Sequence, residues 1–232
     1  MKKLISLSIL CFLFFSCAKK TDGSAPGTDT PGGPTGVPFT ATEAAGNTTG
    51  TCVPFGTTRG TALNGNSMVQ LLSLNANNTY SANVFFYSGT VCQFGGTSIM
   101  TYSQSGTWST DQLATTPSNA TEMIFTVSTS ELTIYAGSGI GATWAGYMNS
   151  FCPGGPTFNS TGTSTFSIAG RTCSKVSVPD FTLPTFASVG SITYNIGIFA
   201  APINITLGAG QDIFNMGSGI YPTTANVVWT YY

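Results

Sequence analysis

The chain has 232 residues, with seven basic and eight acidic side chains, no histidine and a formal net charge of −1. Charged residues make up 6% of it, against about 25% in ordinary proteins, while 41% are hydrophobic, which excludes a solvated disordered chain and a basic face for nucleic acid. Ser, Thr, Asn and Gly supply the polarity, a composition suited to strands and turns.

Met1-Lys2-Lys3 forms a positive start, and Leu4 to Phe15 follows as an apolar run broken only by Ser6 and Ser8. That length suits the hydrophobic region of an export signal and is too short to span a bilayer as a helix. The run ends in Phe14-Phe15-Ser16-Cys17, a small residue directly before a cysteine. This resembles the lipobox of bacterial lipoproteins. The resemblance implies cleavage before Cys17, with residues 1–16 removed, and two or three acyl chains on the cysteine. Each buried methylene adds about 0.8 kcal/mol, so that attachment is effectively permanent. Ala18 stands where the family's inner-membrane retention signal would place Asp, so the outer membrane is the expected address. The partner so implied is the membrane itself, through the lipid.

Residues 17–41 read as a tether. Thr21 to Thr40 holds four prolines and five glycines with no hydrophobic period. Such a coil reaches about 25 Å, or about 60 Å in polyproline II form. Residues 42–232 form one all-β domain in this reading.

Within that domain apolar and polar residues alternate. Ser67 to Leu74 is a strand, Asn75-Ala76-Asn77-Asn78 a turn, and Tyr80 to Ser88 a strand with Tyr80, Ala82, Val84 and Phe86 on one face. Asn tolerates the left-handed backbone that a tight turn requires. Ser98 to Trp108 puts Met100, Tyr102 and Trp108 on one side. Glu122 to Val127 and Glu131 to Ala136 read as a hairpin hinged at Ser128-Thr129-Ser130. Further strands are expected at Thr163 to Ala169, Ser191 to Phe199, Ile203 to Leu207, Asp212 to Met216 and Ala225 to Tyr231. In Ser191 to Phe199, residues Ile192, Tyr194, Ile196 and Ile198 all face one way. Trp144, Tyr147, Met148 and Phe151 recur at helical spacing instead, which predicts a short helix over 142–151 ending at Cys152-Pro153-Gly154-Gly155.

Successive hairpins favour an antiparallel up-and-down β-barrel, with a β-sandwich as the alternative. With its hairpins, Gly106-Thr107-Trp108, four spaced cysteines and a helical insert, the chain resembles the small lipocalin-like domains of envelope lipoproteins over roughly Gly50 to Tyr232. In lipocalins the Gly-x-Trp lies on the first strand, whereas here it falls mid-domain.

Cys52, Cys92, Cys152 and Cys173 are an even set in an exported chain, which points to two disulfides. Three connectivities exist. Cys52–Cys92 with Cys152–Cys173 is favoured because each pair flanks a locally connected group of strands.

Without histidine, the commonest general base and metal ligand is missing. No metal or cofactor is expected, and no enzyme activity. A glycosidase needs only two carboxylates, and Glu122 and Glu131 would approach each other in the expected hairpin, but charges at strand ends also guard against edge pairing. Arg171 and Lys175 flank Cys173 and could meet an anion or simply be solvated. The Gly-rich stretches at Gly137 to Gly141 and Gly208 to Asp212 lack the Lys-Ser/Thr ending of a phosphate loop and read as turns. Met100, Tyr102, Trp108 and Trp144 are the candidate lining of an apolar pocket, or else core. The functional expectation is a non-enzymatic, membrane-anchored envelope module that is structural or recognises a partner, or binds a small apolar ligand. A surface adhesin or polysaccharide-binding module is the alternative, and the two-carboxylate glycosidase stands third.

Overall fold

The computed structural model describes residues 38–54, 66–92, 98–137, 139–152, 154–175, 181–182, 185–200, 204–208 and 219–232. Cys17, the expected export signal, most of the stretch read as tether and the strand expected at Asp212 to Met216 lie outside those residues.

Strands β1 (Gly46–Thr49), β3 (Asn66–Leu74), β4 (Thr79–Ser88), β5 (Met100–Leu113), β6 (Thr121–Tyr135), β10 (Ile192–Ala200), β11 (Asn204–Gly208) and β12 (Ala225–Tyr231) pair antiparallel in that order. Short β1 pairs with both β3 and β12, which closes the sheet into an eight-stranded up-and-down barrel. The two-residue β2 (Val53–Pro54) continues the β1 path along β3. Between β6 and β10 the chain makes an excursion. It holds helix α1 (Gly139–Phe151), strand β7 (Thr163–Ser167) and the small pair β8 (Ser174–Lys175) and β9 (Phe181–Thr182).

Alternation decides which side chains enter the barrel. Met68, Leu72 and Leu74 of β3 point inward, as do Tyr80, Ala82, Val84 and Phe86 of β4 and Met100, Tyr102 and Trp108 of β5. Asn78 takes the left-handed conformation in the β3–β4 turn, with φ of 64°. Trp108 clamps that turn to β5: its backbone N–H donates to the Asn78 carbonyl at 2.8 Å, and its indole N–H to the Asn75 carbonyl at 3.3 Å.

The hairpin expected around Ser128-Thr129-Ser130 does not form. Thr121–Tyr135 is one continuous strand with a β-bulge: Val127 pairs with Gly106 and Thr129 with Ser105, leaving Ser128 as the extra residue. Ser and Thr fit a strand and lack the glycine or asparagine that a tight reversal needs. The bulge shifts the inward register from odd residues (Met123, Phe125, Val127) to even ones (Leu132, Ile134). The long strand pairs with β5 on one side and, on the other, with β10 along its first half and β7 along its second. Gly106 sits at this bulge with no room for a side chain, because a methyl there would overlap the Thr126 carbonyl and press on the Tyr80 ring.

Strand β10 is inverted relative to a simple hydrophobic-inside pattern. Thr193, Asn195 and Gly197 stand opposite Phe125, Met123 and Thr121 and share their inward face, so Ile192, Tyr194, Ile196 and Ile198 point outward. Ile196 is nonetheless fully buried, covered by Ala114, Ala120, Tyr221 and Ala225 from outside the wall. Inside, Asn195 accepts the Gly208 N–H at 3.0 Å, tying β10 to the end of β11.

Both barrel ends are covered. At one, α1 buries Trp144, Ala145 and Met148 against Phe86, Met100, Tyr102, Leu132 and Ile134. Gly141 allows the first helical turn to sit directly on the Tyr135 carbonyl. Cys152–Cys173 fixes the far end of α1 to the excursion, and Cys52–Cys92 joins the segment after β1 to the one after β4. Loops of this size contribute roughly 3–4 kcal/mol each in the chain-entropy model. Arg171 donates its guanidinium to the Gly154 carbonyl just past the helix. At the other end, Phe39 packs against Phe199 and its N–H reaches Thr121 Oγ1, so the chain is held by the barrel within the stretch read as tether. A turn follows in which the Glu43 carboxylate accepts from Thr40 N–H and Oγ1, which holds its pKa below the usual value. Ala44 is thereby seated in the core.

Two glycines test this account in opposite directions. Gly106→Ala is expected to lower stability by about 1–3 kcal/mol through overpacking at the bulge. Gly146→Ala, on the exposed face of α1 with nothing within 4 Å, is expected to raise it by about 0.5–1 kcal/mol. Urea unfolding followed by circular dichroism measures both.

Candidate functional site

The candidate pocket residues are all buried, but in two groups. Met100, Tyr102 and Trp144 share the cluster under α1, whereas Trp108 belongs to the cluster nearer Phe39, with Tyr80, Phe125, Met123 and Trp229. Trp108, Tyr80, Tyr102, Phe86, Phe125 and Phe186 are the bulkiest of the side chains with essentially no exposure. Between the two clusters runs a polar bridge. The Gln104 amide donates to the Tyr80 hydroxyl at 2.8 Å, and the Tyr102 hydroxyl pairs with Ser130 at 3.0 Å and with Gln104 Oε1 at 3.4 Å. Each aromatic thus fills volume with its ring and satisfies its hydroxyl internally. Two inward polar atoms, Thr193 Oγ1 and Trp229 Nε1, have no hydrogen-bond partner among the described residues. Through the β10–β11–β12 register Trp229 lies level with Phe199, six residues beyond Thr193. At strand spacing that is roughly 20 Å, so the two do not converge on one ligand.

The two glutamates of the expected hairpin are not brought together. Glu122 and Glu131 lie nine residues apart on continuous β6, roughly 30 Å along a strand, far beyond the separation of a glycosidase pair. Among the described residues no group of three His, Cys, Asp or Glu stands together.

Glu122 has a different setting, which the sequence did not signal. It faces outward opposite Ile196, yet is only 8% exposed, because Ala114 to Thr116 on one side and Tyr221 to Thr223 on the other rise over it. Together these seven residues line a cleft of about 230 Å³ on the outside of the barrel wall. Its second wall is held by contacts specific to this fold. Tyr221 packs edge-on against Tyr194 with ring centroids 4.9 Å apart, and Pro222 lies against Gly208, where any side chain would collide with it.

A second irregularity places another acid beside it. The β5–β6 register is regular to Thr110↔Met123, then resumes at Leu113↔Thr121, so Asp111 and Gln112 oppose Glu122. The Tyr221 hydroxyl registers both carboxylates. Its pKa is pushed up to about 12 by burial first, then by the negative charges of Glu122 and Asp111 and by Tyr194.

Neither a protein-family model nor a curated protein matches this chain.

Burial also raises the hydroxyl pKa of Tyr80, and that of Tyr231 to about 12, while Tyr231 OH donates to the Ala44 carbonyl at 2.9 Å. A tyrosine whose folded pKa lies above its unfolded value of about 10 contributes stability that is complete below that pH and lost as pH rises through the folded value. The fold is therefore expected to weaken between pH 10 and about 12. Near-ultraviolet circular dichroism during an alkaline titration reads this, with Tyr231→Phe moving the midpoint upward. A midpoint that Tyr231→Phe leaves in place would refute it.

Proposed function

We propose that this chain is a non-catalytic envelope lipoprotein, anchored by acyl chains on Cys17, whose barrel is a self-filled scaffold and whose recognition surface is its exterior. The observation that carries the reading of the barrel is its interior: bulky aromatic side chains from β4, β5 and β6 occupy it, the Tyr80 and Tyr102 hydroxyls are bonded to Gln104 and Ser130, and α1 lies over one end with Phe39 to Ala44 over the other. A carrier of apolar ligands needs that volume open. Here a ligand would have to displace rings whose burial contributes about 3–5 kcal/mol each by alanine substitution.

The lipoprotein part rests on the sequence ending in Ser16-Cys17 and on Ala18, which directs such a protein to the outer membrane. The proline- and glycine-rich stretch from Thr21 gives the barrel reach from the bilayer. Low charge and a wall dressed with paired hydroxyls, such as Ser105 with Thr129 and Thr133 with Thr165, suit a module that meets other envelope components through uncharged surface.

Two measurements test the two halves separately. Growth with labelled palmitate is expected to mark the wild-type chain and not Cys17→Ala, and an unmarked wild type would remove the anchor. Native mass spectrometry of protein purified from membranes is expected to show the polypeptide with its covalent acyl chains alone. A non-covalent apolar molecule retained in stoichiometric amount would make the barrel a carrier.

A further inference from the structure

We propose that the outer cleft between Ala114–Thr116 and Tyr221–Thr223 binds a protonated organic amine, with Glu122 as its counter-charge and Tyr221 as an aromatic wall. The inference deepens the reading of the exterior as the recognition surface and rests on it.

Three independent features point to this chemistry. The first is Glu122 itself. More than nine-tenths buried, it forms no hydrogen bond or ion pair with any described residue, although it lines the cleft. Its stem is covered by the neighbouring segments while its oxygens open on the cleft, so a cation that enters meets a carboxylate already held in place. The second is Asp111. A bulge in β5 places it across from Glu122, and like charges directly opposite on neighbouring strands repel. Bulges re-aim side chains, and this one gathers negative charge at the cleft instead of dispersing it. The third is the aromatic wall. Tyr221 is braced edge-on by Tyr194, and an amine beside Glu122 would lie against a ring face that attracts cations.

Arg171, the basic residue whose side chain is among those described, does not supply the missing charge, because it is engaged with the Gly154 carbonyl beyond α1. Arg59 lies outside the described residues. The cleft volume of about 230 Å³ suits an ammonium group on a short aliphatic stem, with Ala114 and Pro222 against the stem and the hydroxyl-bearing Thr115, Thr116 and Thr223 around the head. That shared chemistry belongs equally to a free diamine and to a lysine side chain of a peptide.

The test uses the full-length protein in non-ionic detergent and follows binding by NMR saturation transfer. The probes are cadaverine, a capped Ala-Lys-Ala peptide and diacetylated cadaverine, which keeps the stem and loses the charge. Either charged probe is expected to bind, more weakly as salt rises, and which one binds identifies the source. Diacetyl-cadaverine is expected not to bind. Glu122→Gln keeps the shape and should weaken binding by roughly tenfold or more, the loss of a charge-assisted contact. Asp111→Asn, at an exposed position, should weaken it about two- to threefold, and Tyr221→Phe should bind within about threefold of wild type because the ring is retained. The proposal is overturned if neither cation binds, if the diacetyl probe binds equally, or if folded Glu122→Gln binds as wild type does. It is also overturned if a neutral oligosaccharide occupies the cleft independently of Glu122. Native mass spectrometry reports on the interior and the amine titration on the wall, so failure of the scaffold reading and failure of this one are separable.

Discussion

The structure depends on barrel closure through one short strand. Four-residue β1 pairs with β3 on one side and β12 on the other, and only through it does the sheet lose its edges. Closure fixes the interior of an eight-stranded barrel at a width that side chains just fill. Every inward position must then be shared out by volume. Tyr80, Trp108 and Phe125 take large shares, and Gly106 and Gly197 yield space to their neighbours: Gly106 to the Tyr80 ring, Gly197 to Met123 and Phe39. A change at one of these positions is felt by partners distant in sequence, because the wall cannot open to relieve it.

The same constraint explains why a chain with so few charges needs so many hydroxyls. Inside, buried tyrosine hydroxyls need hydrogen-bond partners, and Gln104 with Ser130 supplies them. Outside, Ser and Thr pairs run across neighbouring strands where many proteins place lysine and glutamate. Against that background two carboxylates facing each other at the β5 bulge are an exception, and exceptions to local consistency collect at working surfaces.

Much of this was legible in the residues. Alternation in Tyr80 to Phe86 and in Met100 to Trp108 identified inward faces correctly, since those strands are regular and their inner face is apolar. Helical spacing at Trp144, Tyr147, Met148 and Phe151 identified α1, which the structure extends to Gly139. Cysteine pairing followed from locality, because each disulfide closes within a run of adjoining elements. Strand β6 was misread for a definite reason: a hairpin and a bulge both interrupt the period, and inward residues moving from odd to even number cannot distinguish them. The four apolar residues of β10 gave an orderly stripe but not its direction. Their outward placement depends on the 114–120 and 219–225 segments returning over them, a tertiary fact.

The candidate cleft was invisible for the same reason. Asp111, Glu122, Tyr194 and Tyr221 span more than a hundred residues, and no spacing relates them. What assembles them is a bulge that places Asp111 against Glu122, an inverted strand that presents Tyr194 outward, and a returning segment that lays Tyr221 on it. Each departs from the regular barrel, and all three meet at one point on its wall. Regular closure would have produced a smooth cylinder with nothing on its surface to hold a ligand. A filled barrel interior fits this division of labour, because a wall that must present an aromatic ring and a buried carboxylate at fixed positions requires rigid support behind it.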